Sequence, residues 1–171
     1  KTAEIIALLL HYNADPGMVP ELLSARRQLS SPLHVTAQLG LEDSVRALIA
    51  ANAPLNETAR SSEKQTAFLI AAEHGRLNVL KLLHDAGADV SRVSSTGKTA
   101  LHYAAKNGSS AVLAFLTDTA ALDIDMKDND GDTPLHLAAR GGRHDAVQFL
   151  LESGASMQVR NHKGYTPLHD I

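Results

Sequence analysis

The chain has no cysteine and no tryptophan among its 171 residues, and it has only three phenylalanines and three tyrosines. Without cysteine it cannot form disulfide bonds or thiolate metal sites. This absence agrees with a protein from a reducing compartment. The scarcity of aromatic side chains leaves no platform on which the bases of single-stranded nucleic acid could stack.

The chain also lacks a block of charge of one sign and a long apolar run. Its net charge is −3 and its positive and negative residues are intermixed, so no basic patch is expected to neutralise nucleic-acid phosphates or hold an anionic membrane. The longest apolar run, from Ile5 to Leu10, is far too short to cross a bilayer. The opening Lys1-Thr2 does not resemble the start of a signal peptide. We therefore expect neither nucleic-acid binding nor membrane insertion.

One four-residue motif recurs five times along the chain. Its copies are Ser31-Pro32-Leu33-His34, Thr66-Ala67-Phe68-Leu69, Thr99-Ala100-Leu101-His102, Thr133-Pro134-Leu135-His136 and Thr166-Pro167-Leu168-His169. The steps between their first residues are 35, 33, 34 and 33 residues. A period of this length is typical of a linear stack of similar units, in which each unit packs only on its neighbours.

The fourth copy continues as Leu137-Ala138-Ala139, which completes the pattern Thr-Pro-Leu-His-x-Ala at a period of about 33 residues. The chain therefore resembles the ankyrin-repeat family over essentially its whole length. The resemblance implies an all-α solenoid of helix–turn–helix units joined by β-hairpin loops. It also implies one continuous concave face that carries the variable side chains.

Each unit carries start and stop signals for two short helices. In the fourth unit Thr133 can cap the free amides of a first helix, and Pro134 suits its first turn. Gly142 ends this helix and Gly154 ends a second one. The third unit has no glycine at the end of its second helix, so we expect a one-residue extension or an irregular end there.

The register predicts a single array over residues 1–171, with four complete repeats flanked by two half-repeats. The half-repeats are a lone second helix at 1–15 and a truncated first helix at 166–171, and an insertion loop occupies 16–30. The complete helix pairs are predicted at 31–53, 66–88, 99–122 and 133–155. Neither half-repeat has the polar character of a capping repeat, so we expect the chain to be a fragment of a longer protein.

Nine histidines raise the question of a catalytic or metal site. Four of them belong to the repeated motif, where the resemblance implies that the imidazole connects adjacent loops by hydrogen bonds. The remaining histidines show no metal-ligand spacing. The acidic run 123–132 fails as a calcium loop, because aligning Gly131 on the loop glycine places Met126 and Leu137 at ligand positions. We predict no metal, no cofactor and no catalytic residue, and hence not an enzyme.

A stacked array without catalytic residues is best suited to protein binding, so the sequence predicts a protein-interaction scaffold. The resemblance places recognition residues at the end of each first helix and at the loop tips. The helix-end residues are Gln38, Leu39, Glu73, His74, Lys106, Asn107, Arg140 and Gly141. The tip residues are Lys64, Gln65, Thr96, Lys98, Asn129, Asp130, Asp132, His162, Lys163 and Tyr165.

The partner is expected to be another protein or another domain of the same protein, in the cytoplasm or nucleus. A second interpretation is a regulatory or autoinhibitory domain of a larger enzyme, channel or transcription regulator. A directly catalytic domain is disfavoured. The insertion, which carries Arg26 and Arg27, is a second candidate contact because insertions in such arrays often emerge on the binding face.

Overall fold

A computed structural model describes residues 31–120 and 122–170 of the chain. The predicted half-repeat at 1–15 and the insertion at 16–30 lie outside the described residues. Over the described ranges the protein is an all-α solenoid of four consecutive helix pairs followed by a short 3₁₀ helix. The helices are α1 (Pro32–Leu39), α2 (Glu42–Ala50), α3 (Ala67–Glu73), α4 (Leu77–Asp85), α5 (Ala100–Asn107), α6 (Ser110–Ala120), α7 (Pro134–Arg140), α8 (His144–Glu152) and the 3₁₀ helix Pro167–Asp170.

The first helix of each pair begins directly after the first residue of the repeated motif, because that residue acts as its N-cap. Thr66 Oγ1 accepts a hydrogen bond at 3.3 Å from the backbone N–H three residues later. Thr99 and His102 form a reciprocal capping box. Pro32 and Pro134 occupy the first helical turn, where a missing N–H has no cost.

The second helix of the third unit is longer than its counterparts. Helix α6 has 11 residues, whereas α2, α4 and α8 have 9 each. This helix has neither glycine nor asparagine at the position where Asn52, Gly87 and Gly154 follow the other second helices. It extends by two residues, where the sequence predicts one.

The helices form two layers around a continuous core. The first helices α1, α3, α5 and α7 pack side by side, and the second helices α2, α4, α6 and α8 form the other layer. The paired alanines of the first helices, such as Ala71 and Ala104, are 0% exposed and allow the helices to approach closely. Leu80, Leu113 and Leu150 of the second helices close the core from the other side.

The loops are tight turns and not the β-hairpins that the resemblance implies. Outside one isolated bridge between Thr58 and Thr66, the described residues contain no strand pairing. In the later loops one backbone hydrogen bond closes the turn, as between the N–H of Asp128 and the carbonyl of Asp132 at 2.9 Å. Helix α7 begins at Pro134, directly after this closing pair and Thr133, so one arm of the turn has no extended residues with which to continue a ladder.

Successive loop tips stack on one another through backbone hydrogen bonds. The pairs are the Ser95 N–H with the Glu63 carbonyl at 2.8 Å, the Asn129 N–H with the Thr96 carbonyl at 3.0 Å and the His162 N–H with the Asp130 carbonyl at 3.0 Å. Each tip is therefore held at a fixed position relative to the tip before it.

The last motif copy, from its second residue on, lies within a 3₁₀ helix, Pro167–Asp170, where the sequence predicts an α-helix. The Thr166 hydroxyl and His169 Nδ1 still form the motif's hydrogen bond, at 2.8 Å. The local pairing of threonine and histidine is thus present here without α-helical geometry.

Candidate partner-binding surface

The ends of the first helices and the loop tips lie on one side of the array, where they line two open pockets. The first pocket, about 310 Å³, lies between the ends of α1 and α3 and the loop at 61–65. The second, about 360 Å³, lies between the ends of α5 and α7 and the loop at 128–132. We call this side, formed by the first-helix ends and loop tips, the inner surface.

The structure brings about half of the predicted recognition residues together in these pockets. The first pocket is lined by four of them: Gln38, Gln65, Glu73 and His74. The second is lined by six: Lys98, Lys106, Asp130, Asp132, Arg140 and Gly141. The other eight line neither: Leu39, Lys64, Thr96, Asn107, Asn129, His162, Lys163 and Tyr165.

The predicted residues also differ in exposure. Ten are exposed: Lys64, Lys106, Asn107, Asn129, Asp130, Arg140, Gly141, His162, Lys163 and Tyr165. Six are half-buried: Gln38, Leu39, Glu73, His74, Thr96 and Lys98. The remaining two, Gln65 and Asp132, are buried.

These two buried residues support the inner surface and do not present free side chains. Gln65 Nε2 donates a 2.6 Å hydrogen bond to Glu73 Oε2. Asp132 accepts hydrogen bonds at 2.7 Å from Arg140 Nη1 and from Asn161 Nδ2. Both side chains fold back under their loops because a nearby donor or acceptor is available there.

Arg140 is therefore part of an ion pair as well as a surface cation. Burial by itself raises the pKa of Asp132, but the hydrogen bonds from Arg140 and Asn161 outweigh it and lower that pKa below its usual value. Reversing the charge of Arg140 would place a second negative group beside the buried carboxylate of Asp132. For this reason Arg140 is a poor position for a test of partner binding.

The motif histidines connect successive units, as the resemblance implies. His102 Nδ1 accepts a hydrogen bond from the Thr99 N–H at 3.1 Å, so Nε2 carries the proton and donates to the Asp132 carbonyl at 3.0 Å. His34 Nε2 donates in the same way to the Glu57 carbonyl at 2.9 Å. Burial lowers the pKa of both imidazoles, and that of His74 as well.

We expect the free energy of unfolding to fall as the pH drops through about 6.5, the ordinary pKa of histidine. Because the folded-state pKa values of His34 and His102 are lowered, the unfolded chain binds more protons in this range. Stability is complete above the unfolded pKa and is lost as the pH falls towards the folded values. Denaturant titrations at about pH 7.5 and about pH 5.5 measure this loss, and a His102→Gln variant should show a weaker dependence. An unchanged wild-type midpoint would contradict the expectation.

Sequence reasoning missed a tyrosine and a glutamate that connect the second and third units. Tyr103 is 1% exposed, and its hydroxyl donates a short hydrogen bond to the carboxylate of Glu63, 40 residues earlier in the chain. Burial and this hydrogen bond raise the pKa of Tyr103, so it remains a donor. The available signal was a phenol at a position where the other units carry aliphatic residues, such as Ile70 and Leu137.

Three buried polar atoms have no hydrogen-bond partner among the described residues. They are Gln38 Oε1, Ser61 Oγ and Asp128 Oδ2. Gln38 and Ser61 line the first pocket, and Asp128 lines the second, where its Oδ2 lies 3.9 Å from Lys98 Nζ. All three residues thus belong to the inner surface.

Neither a metal-binding cluster nor a membrane-spanning helix is found in the described part of the chain. No three histidine, aspartate or glutamate side chains there converge as ligands for a metal ion. The acidic run forms a turn, in which Asp128 Oδ1 accepts from the N–H groups of Asp130 and Asp132 at 2.9 Å each. None of the helices described is long and apolar enough to cross a membrane.

Comparison with known families agrees with this architecture. A model described as ankyrin repeats (3 copies) matches residues 1–94, 33–128 and 120–170. The chain belongs to the ankyrin-repeat family. Ankyrin repeats are generally protein–protein interaction modules, and the fold is typically a non-catalytic binding scaffold.

One curated relative is Protein HOS4 of Saccharomyces cerevisiae. It is 38% identical to this ankyrin-repeat chain over 69 residues, which amount to 40% of the chain and 6% of HOS4. The similarity therefore concerns the repeats and leaves nearly all of HOS4 unmatched.

Proposed function

We propose that this ankyrin-repeat array is a scaffold that binds a partner protein along its inner surface, in the cytoplasm or nucleus. Neither a metal, a cofactor nor nucleic acid takes part in this function. The recognition residues are the exposed and half-buried side chains at the first-helix ends and loop tips. Gln65 and Asp132 hold those side chains in place.

The observation that carries the proposal is the coincidence of open pockets with buried polar atoms that lack partners. Buried acceptors in folded proteins are nearly always paired, and an unpaired one requires an explanation. Here Gln38 and Ser61 line one inner-surface pocket and Asp128 lines the other. Polar groups of a bound protein would supply the missing hydrogen bonds.

We expect the double substitution Lys106→Glu and Lys163→Glu to weaken partner binding by about tenfold or more without unfolding the array. Both side chains are exposed on the inner surface, and reversing them changes four units of charge facing the partner. Each exposed substitution should alter the free energy of unfolding by only about 0.5 kcal/mol. Affinity capture with the full-length protein identifies the partner, and calorimetry on the purified pair measures the affinity.

The matched control is Arg46→Glu with Lys81→Glu, which reverses two exposed cations on the second helices α2 and α4. This control has the same net charge as the Lys106→Glu, Lys163→Glu variant, but its substitutions lie away from the inner surface. It should therefore retain binding if the inner surface is the contact. If the control loses binding and the inner-surface variant keeps it, the proposed surface is wrong.

The alternative, a regulatory domain that docks on another part of its own protein, uses the same surface chemistry. Adding the isolated array in trans to a fragment of its own full-length protein distinguishes the two possibilities. Binding of the isolated array to a fragment of its own full-length protein, abolished by Lys106→Glu with Lys163→Glu, would favour the regulatory interpretation.

A further inference from the structure

The first pocket of the inner surface differs from the second in the sign of its charge. Its charged side chains are the carboxylates of Glu63 and Glu73, and no lysine or arginine is among the described residues that line it. The second pocket, in contrast, has Lys98, Lys106 and Arg140 beside three aspartates. Only the first pocket therefore has a clear preference for a positively charged group.

Both carboxylates of the first pocket are held in place by donors from the array itself. Glu73 Oε2 accepts from Gln65, and Glu63 Oε2 accepts from the buried hydroxyl of Tyr103. Within the described ranges, Oε1 of each glutamate has no hydrogen bond. Each carboxylate is thus oriented by one oxygen and leaves the other available.

A second, independent observation comes from uncharged groups of the same pocket. Gln38 Oε1 and Ser61 Oγ are buried and form no hydrogen bond within the described part of the chain. An amide oxygen is only an acceptor, and a hydroxyl can accept as well as donate. The residues that line the pocket therefore contain four oxygens without donors: one from each carboxylate, and the buried oxygens of an amide and a hydroxyl.

The geometry points to an arginine side chain of the partner protein as the occupant of the first pocket. This inference rests on the proposed function and specifies the chemistry that one part of the inner surface recognises. The guanidinium group is planar and positively charged, carries five N–H donors and accepts no hydrogen bond. A lysine ammonium has three donors on a single atom, which is fewer than the four oxygens offered.

The test uses small probes, so it does not depend on knowing the partner. N-acetyl-arginine methylamide is titrated into the array and followed by NMR. We expect amide shifts at 61–65 and 73–74, with a dissociation constant on the order of 1 mM. N-acetyl-citrulline methylamide has the same shape without the charge and should cause no saturable shifts there. N-acetyl-lysine methylamide should bind several-fold more weakly.

The variant Glu63→Gln with Glu73→Gln should weaken arginine binding by about tenfold, because it removes both charge-assisted acceptors. It keeps an amide oxygen as acceptor for Tyr103 and Gln65, which favours retention of the fold. If the double variant unfolds, each single variant should weaken binding by about threefold. Asp118→Asn with Glu152→Gln neutralises two exposed carboxylates on α6 and α8 and should leave binding unchanged.

Three outcomes would overturn the assignment. One is absence of arginine-dependent shifts, and another is equal binding of the lysine probe. The third is several-fold tighter probe binding after Arg26→Ala with Arg27→Ala, which would show that the chain's own arginines occupy the pocket. If partner capture still depends on Lys106 and Lys163 while the arginine probe fails, the scaffold function stands and only the arginine pocket is refuted.

Discussion

Replacing His102 with alanine is expected to lower the free energy of unfolding by about 3 kcal/mol, because it leaves the buried Thr99 N–H without a partner and removes one of the two hydrogen bonds of the Asp132 carbonyl. The imidazole is 0% exposed. It accepts from the N–H of Thr99 and donates to the carbonyl of Asp132. A buried group left unpaired costs about 1–3 kcal/mol, and the loss of one further hydrogen bond costs about 0.5–1.5 kcal/mol.

The loss should also spread to the inner surface. The carbonyl that His102 holds belongs to Asp132, whose side chain in turn binds Arg140 and Asn161. Denaturant unfolding measures the change, and hydrogen exchange locates it at 128–132. The control is His144→Ala, which removes an exposed histidine from the start of α8 and should change stability by only about 0.5 kcal/mol. Equal losses in the two variants would show that the motif histidine has no special structural role.

Replacing Gly131 with alanine is expected to cost about 3 kcal/mol, for two combined reasons. Its φ of +78° lies in the left-handed region, where a side chain costs about 1–2 kcal/mol. An added Cβ would also lie 2.8 Å from the backbone nitrogen of His162. That nitrogen is the donor in the hydrogen bond to the Asp130 carbonyl, so relieving the clash would separate the stacked loops.

Gly164 provides the matched control for this experiment. It has nearly the same backbone conformation, with φ of +80°, but an added Cβ would have no neighbour within 4 Å. Gly164→Ala should therefore cost only the conformational part, about 1 kcal/mol. Thermal unfolding of both variants separates the two contributions. A Gly131→Ala variant no less stable than Gly164→Ala would mean that the loop stack contributes little to folding.

Much of the fold could be predicted because the signals are local and repeated. The threonine that caps each first helix lies within a few residues of the amides it serves, as Thr66 and Thr99 show. The third unit likewise has neither glycine nor asparagine at the end of its second helix, and that helix is longer than its counterparts. The β-hairpins were predicted wrongly, because the family resemblance gives the path of the loop but not whether a ladder can form within it.

Less of the candidate site could be predicted, because its geometry depends on contacts between units. Nothing near Gln65 in the sequence indicates that its amide folds inward to Glu73. The hydrogen bond from Tyr103 to Glu63 joins residues 40 positions apart, and no short pattern encodes it. Periodicity therefore predicted the rows of positions at the first-helix ends and loop tips, while the stacking of the units decided which side chains in those rows are exposed.

The fixed stacking of the loop tips also gives the array a length scale. Packed helices lie about 8–10 Å apart, and an extended segment advances about 3.3 Å per residue, so each unit corresponds to about three residues of such a segment. The two pockets are separated by two first-helix steps, from the α1 and α3 pair to the α5 and α7 pair. An extended ligand bound by one residue in the first pocket would thus present to the second pocket a residue about six positions away. The repeat period would in this way set the number of residues between the two ligand side chains that the pockets bind.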